Sequence, residues 1–237
     1  MKKGRLIRYV NRSTLTVHTP EALIFCRSKA QFPGNDKASW RPNIFSFGNN
    51  MNKVWANAKA DDPYAEFALI QVETKLDKAS QRLSLFERLA KRMKNRWQVP
   101  AGLDIQSCET IEPLTLAMGG KVFNTPHSKS LIVLIARFDA LVRELKSLKQ
   151  FNIIKNKRFH TIVRKATRNI RAVIQETHAY KATGVTRYDI FNKTKLGAEA
   201  IEQMGMISLA ILNRDERSAF GPTPIEEKQS NYSAQRL

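Results

Sequence analysis

No stretch of this chain is long and apolar enough to cross a bilayer: the longest strongly apolar run, residues 131–136, is far short of the roughly 20 residues a spanning helix takes. Cysteine is nearly absent. Cys26 and Cys108 stand far apart without zinc-ligand spacing, which excludes a disulfide framework and reads as two thiols of a reducing cytosol. Arg8, Asn11 and Arg12 interrupt the N-terminal segment before the apolar core of a signal peptide can form, so a cytoplasmic protein is expected. The chain also lacks a phosphate-cradling G-x-x-x-x-G-K-[ST] loop, an H-E-x-x-H pair, and any paired metal-ligand spacing among His18, His127, His160 and His178. No cofactor and no metal are therefore expected. Nor does any segment require an amphipathic membrane helix, so no membrane partner is expected either.

Negative charge is scarce as well. Lys and Arg number 40 against 21 Asp and Glu, for a formal net charge of +19 at pH 7. The excess falls in two blocks. Residues 1–60 carry eleven basic side chains against Glu21 and Asp36; residues 129–200 carry sixteen against Asp139, Glu144, Glu176, Asp189 and Glu199. The rest of the chain is nearly balanced. Folding gains nothing from such self-repulsion, so a polyanionic partner is the natural explanation, and double-stranded DNA is the one expected. A merely basic surface is the plainer alternative. With 237 residues at 42% hydrophobic, the chain can bury a substantial core.

Residues 13–19 alternate with the period of a strand, Leu15 and Val17 on one face and Thr14, Thr16 and His18 on the other. Pro20 and Glu21 suit a first helical turn that continues to residue 32, before the breaker-rich Pro33-Gly34-Asn35-Asp36. Ile44, Phe47, Met51, Val54, Trp55 and Ala58 predict a helix over 43–60, weakened at Gly48. Asp62-Pro63 supplies a cap and an N1 proline, after which Leu69, Val72, Leu76, Ala79, Leu83, Phe86, Ala90 and Met93 recur at alternating steps of three and four. That seam predicts one long heptad-patterned helix over about 63–97, forming a coiled coil or packed on its own domain. Extended pieces at 103–111 and 114–118, with the apolar run 131–136, predict a small antiparallel sheet over about 99–136. Basic helices are predicted over 139–151 and 157–180, a further helical piece over 194–212, and a disordered tail over 221–237. The expected class is α+β, mainly helical with a small antiparallel sheet, in one elaborated DNA-binding domain over 1–220.

Asp61 or Asp62 followed by Glu73-Thr74-Lys75 loosely fits the pattern by which some nucleases hold Mg²⁺. That geometry needs the Glu and Lys on adjacent strands, and here the triplet lies inside the heptad helix. A DNA-processing nuclease or nicking accessory enzyme is thus an alternative only, as is an RNA- or protein-binding scaffold. DNA reading fits better. A strand followed by two helices is the ribbon-helix-helix unit, in which two subunits pair strands into a ribbon that enters the major groove while the second helix start holds a phosphate. The N-terminal segment has the better strand, with Thr14, Thr16 and His18 as base-reading candidates and Arg5, Arg8 and Arg12 beside it for the backbone. Residues 130–180 have the better helix pair, with Lys155, Lys157, Arg158, Arg164, Lys165 and Arg168 as phosphate candidates. Their strand, 131–136, is apolar on both faces. The arrangement favoured is the N-terminal strand as reader and the C-terminal basic helices as grip.

Four short motifs carry a family likeness: Val17-His18-Thr19 leading into a short helix, Arg41-Pro42 before the next, Asp61-Asp62-Pro63-Tyr64-Ala65 at the head of the long helix, and Gly184-Val185-Thr186-Arg187-Tyr188-Asp189. Together they resemble the AcaB-like transcriptional regulators of integrating conjugative elements and conjugative plasmids, which are related to ribbon-helix-helix proteins. The likeness runs from about residue 14 to about 215, and its motifs are structural rather than catalytic. It implies a dimeric, sequence-specific DNA-binding protein that activates conjugative-transfer genes; no enzymatic activity is expected, and RNA polymerase is a further expected partner. A homodimer is expected on two further grounds, the heptad seam and a ribbon's need for two strands.

Overall fold

Pro20, Pro63 and Pro126 each sit in a first helical turn, where the missing N–H breaks no intrahelical bond. Each follows a capping side chain. Thr19 accepts from the Ala22 amide, Asp62 Oδ1 from those of Tyr64 and Ala65, and Thr125 from that of Ser128. The computed structural model describes residues 14–27, 42–96 and 112–223. Their order is β1 (Thr14–Val17), α1 (Pro20–Leu23), α2 (Ile44–Lys59), α3 (Pro63–Arg96), β2 (Leu114–Ala117), a 3₁₀ turn (Lys121–Phe123), α4 (Pro126–Gln150), α5 (Asn156–Glu176), α6 (Arg187–Phe191), α7 (Lys195–Met204) and α8 (Leu209–Leu212).

The long helix α3 is the spine of the molecule. Leu69, Val72, Leu76, Ala79, Leu83 and Ala90 of its seam are buried, with Phe86 and Met93 partly so, and α3 packs against α2, α4 and α5. The seam is therefore filled within the chain. α5 runs antiparallel beside α3: Lys75 Nζ lies 3.1 Å from Glu176 Oε2, and Arg82 Nη1 donates to Asn169 Oδ1 at 2.8 Å. β1 and β2 pair antiparallel with Leu15 opposite Leu116 and Thr16 opposite Thr115. A buried carboxylate ties this sheet to α4, for Asp139 accepts from the amides of His18 and Thr19 and from the Thr19 hydroxyl. Beside it the buried Cys26 thiol is pushed up to about 12, by burial and by the Asp139 charge.

Residues 131–136, expected as a buried strand, form part of α4 instead. A six-residue apolar run carries no period of its own. The Thr125-Pro126 start lies upstream of it, and Leu131, Leu134, Ile135, Phe138, Leu141, Val142 and Leu145 then fall at helical steps and are buried, while Val133 is exposed. Among the described residues, the sheet expected over 99–136 is thus the two-stranded β1–β2 pair. The helical piece expected over 194–212 breaks at Gly205, whose φ of 83° is left-handed, into α7 and α8. The helix expected from Pro20 to residue 32 ends at Leu23, followed by a turn over 24–26. Four expectations lie outside the described residues: Arg5, Arg8 and Arg12; the extended piece 103–111; residues 28–32 of that expected helix; and the tail from 224.

After α5 the chain builds a smaller unit on the start of α3. Tyr64, Val185, Ala200, Ile207, Ile211 and Leu212 make its apolar centre. Arg187 crosses it, with Nη1 donating to Asp61 Oδ1 at 2.6 Å and Nε and Nη2 to the Ile211 carbonyl. Arg214 Nη2 reaches the same Asp61 oxygen at 2.8 Å.

Candidate nucleic-acid interface

Strand alternation sets the first part of the candidate surface. Leu15 and Val17 are buried, whereas Thr14 is exposed and Thr16 half-buried on the opposite face. β2 brings Thr115 beside them, its hydroxyl 3.2 Å from that of Thr16. His18 is set apart from the threonines. Its Nδ1 lies 3.1 Å from Asp139 Oδ2, so the imidazole anchors the end of β1 to α4.

Helix geometry sets the second part. Phe159, Ile162, Val163, Ala166, Ile170, Val173 and Ile174 bury one face of α5, and the 3.6-residue period then turns Lys157, Arg158, Arg164, Lys165 and Arg168 to solvent. Lys155 at the N-cap is exposed too, and no side chain caps the helix start. The first turn's backbone N–H groups and the positive end of the helix dipole therefore face outward with three basic side chains around them. The one carboxylate of α5, Glu176, is at its far end and paired with Lys75. All six C-terminal candidates thus share one acid-free face.

A neighbouring row of cations does not show in the charge blocks of the sequence. Lys78, Arg82, Arg92 and Arg96 of α3 are all exposed, and their spacing of i, i+4, i+14 and i+18 places them along one stripe. Arg82 touches Asn169 beside Arg168, so this stripe adjoins the α5 face. Arg88, Lys91 and Lys94 instead line a groove toward α4 with Glu87 and Glu144. There the Glu144 carboxyl is raised, by burial first and by Glu87, against the opposing pull of Lys94 and Lys91.

The family model described as "Transcriptional regulator AcaB" matches residues 4–224. The chain belongs to the AcaB family of transcriptional regulators. Its fold is similar to the crystal structure of selenomethionine-containing AcaB from uropathogenic E. coli, with a TM-score of 0.54 at 13% sequence identity over 87% of this chain and 96% of that one. At that identity the likeness is one of fold. No curated protein matches the chain.

Three of the four motifs that pointed to the AcaB family are brackets of the fold, Val17-His18-Thr19 through its hydrogen bonds to Asp139. Asp61-Asp62-Pro63-Tyr64 and Gly184 to Asp189 meet at the Arg187–Asp61 ion pair. Thr186 and Asp189 cap α6 reciprocally, and the Tyr64 hydroxyl donates to the Gly205 carbonyl at 2.8 Å. Glu73, the carboxylate of the nuclease alternative, is also committed to the fold. It accepts from the Ser218 hydroxyl and from the amides of Ala219 and Phe220, and it lies 2.9 Å from His127 Nε2. Among the described residues no group of three or more His, Cys, Asp and Glu side chains is placed to hold a metal ion. No helix among them is long and apolar enough to cross a membrane.

Proposed function

We propose that this AcaB-family protein is a sequence-specific double-stranded-DNA-binding regulator without enzymatic activity, activating conjugative-transfer genes from the cytoplasm as a homodimer, with RNA polymerase as its further partner. One observation supports DNA contact above the rest: the solvent face of α5, from Lys155 to Arg168, bears six basic residues and no acid. Such a face meets the phosphate backbone, positions the protein and makes binding salt-dependent, while the strand residues Thr14 and Thr16 face the base edges. Arg5, Arg8 and Arg12, a few residues upstream of β1, hold the backbone beside it. Residues 1–220 act as one DNA-binding domain.

The seam of α3 and the pairing edge of β1 are both satisfied inside the chain. Dimer formation rests instead on the two-fold symmetry that regulators share with palindromic operators. Sedimentation at micromolar concentration tests it, and a monomer there, with and without operator DNA, refutes it. DNA recovered from a random-sequence pool and rebound at several salt concentrations tests the main reading. A shared motif bound with a steep salt slope is expected; no motif and no salt dependence overturn it.

A further inference from the structure

In a two-subunit ribbon each chain supplies one strand. Here both strands belong to one chain, with Thr14 opposite Ala117, Leu15 opposite Leu116, Thr16 opposite Thr115 and Val17 opposite Leu114. The pleat sorts these eight residues by face. The four aliphatic side chains turn toward the core, Leu15 and Val17 fully buried and Leu114 and Leu116 packed against it. Thr14, Thr115 and Ala117 are exposed on the other face, with Thr16 half-buried among them. After β2 the chain runs through α4 into α5 and its uncapped, cation-flanked start. β2, α4 and α5 are therefore a strand followed by two helices, and β1 fills the place where a second subunit's strand would pair. The two halves separated along the sequence, a polar strand near residue 15 and a basic helix near 150, both pack on α4.

We propose that a single chain carries a complete ribbon for the major groove, and that Thr115 reads bases together with Thr14 and Thr16. The proposal rests on the DNA-binding reading above. A two-stranded antiparallel ribbon fits a major groove about 12 Å wide, where a threonine hydroxyl can donate or accept and its methyl can pack on the thymine methyl. Ala117 adds a methyl and leaves room for close approach. No charge and no bulky side chain stands among the four outward residues to hold the bases away. Because the Thr16 and Thr115 hydroxyls are 3.2 Å apart, each orients the other and the pair reads as a unit. Two chains on one operator then place two whole ribbons on separate half-sites, about 10–10.5 bp apart or a multiple of that, instead of one composite ribbon on one continuous site.

Two experiments on the full-length protein test this. In the first, the wild type, Thr115→Val and Thr16→Val each select DNA from a random pool; valine keeps the shape and suits a strand, and the melting temperature reports the fold. Both variants are expected to lose preference at the same base positions and to bind the wild-type site about 5- to 10-fold more weakly. The double variant is expected to lose less than the product of the two. In the second, Thr14→Cys and Ala117→Cys are combined with Cys108→Ser. Residues directly opposite in an antiparallel pair lie about 4.5–5.5 Å apart at Cα, within disulfide reach. Oxidation in the presence of the selected site is expected to crosslink the chain to itself, read as a band of monomer size on a non-reducing gel. A crosslink between chains, or an unaltered motif and affinity for Thr115→Val, overturns the single-chain ribbon while DNA binding stands. A wild type that selects no motif overturns the DNA-reading proposal itself.

Discussion

Replacing Arg164, Lys165 and Arg168 together by alanine removes half of the six basic residues on the α5 face. All three are exposed and alanine is the strongest helix former, so the fold is expected to survive with a melting temperature near that of the wild type. Binding should change in a way that counts charges. If each of the six cations neutralises one phosphate, the α5 face contributes about −5.4 to the slope of log K against log salt, which is about 2,000-fold between 50 and 200 mM. With three removed that contribution falls to about −2.7, or about 40-fold over the same range, so the measured slope should become shallower by about 2.7. Fluorescence anisotropy of a labelled duplex at four or five chloride concentrations reads the slope directly. Lys195→Ala is the control: that side chain is 93% exposed but lies on α7, away from the α5 face, and its slope should match the wild type. A triple variant with the wild-type slope refutes the assignment of α5 to the phosphates.

Gly48→Ala should destabilise by about 1–3 kcal/mol, read from the urea midpoint, because the new Cβ would lie 2.5 Å from the Val122 carbonyl oxygen and 2.8 Å from its Cγ1; an unchanged midpoint refutes it. Arg187→Met removes one partner of an ion pair whose side chains are both only 2% exposed. The loss should be about 3 kcal/mol, the low end for a broken buried pair because Arg214 still reaches Asp61, and a melting temperature within a degree of wild type counts against it. His127 gives a pH dependence. Burial holds its pKa below the ordinary 6.5 although the hydrogen bond and charge of Glu73 oppose that. Burial would raise Glu73, but hydrogen bonds from Ser218, Phe220, Ala219 and His127 outweigh it and hold the carboxyl below 4.5. Both folded pKa values lie below the unfolded ones, so the unfolded chain takes up protons first and stability is lost as pH falls, from about 6.5 for His127 and from about 4.5 for Glu73. His127→Gln should flatten the urea-midpoint profile in the upper of these two windows, and an unaltered profile refutes the assignment.

Elements whose local signals agreed were legible in the sequence. β1 showed its period of two; α2, α3 and α5 showed their helical periods; and the proline-bearing starts of α1 and α3 carried their caps beside them. What escaped was information that lies between elements. Residues 131–136 looked like a strand because an unbroken apolar run fits either structure, and only the Thr125-Pro126 start five residues upstream decides it. The α3 stripe was hidden by summing charge along the chain: Lys78, Arg82, Arg92 and Arg96 share their segment with Asp77 and Glu87, and Glu87 is bound to Arg137 on the α4 side. Charge counted per helix face would have found the row. His18 satisfied the alternation of a reader, but its partner Asp139 is 121 residues away. Nothing local announces such a contact. Thr115 lay in a recognised extended piece, yet its place beside Thr16 follows from a strand pairing that spans about a hundred residues of chain.

The cations of the α5 face make one more demand on the free protein. Arg187 and Arg137 have carboxylate partners, whereas Lys157, Arg158, Arg164, Lys165 and Arg168 share an acid-free face, and the α3 row lies against it. At low salt, with a Debye length of about 10 Å or more, like charges along two adjacent helices repel and oppose the folded state. Added chloride screens that repulsion, so the melting temperature of the free protein should rise between 20 and about 300 mM. Duplex DNA screens it better, because it supplies counter-charges in fixed positions that match cations fixed on one folded face, and so binds the folded chain more tightly than the unfolded one; at 20 mM salt its presence should raise the melting temperature further. That gain must shrink as salt rises, since each phosphate contact then competes with condensed counterions. Salt thus stabilises the free protein and weakens the complex, two opposite signs from one set of side chains. A free protein whose melting temperature ignores salt would mean that its cations are spread too far apart to form one phosphate-binding surface.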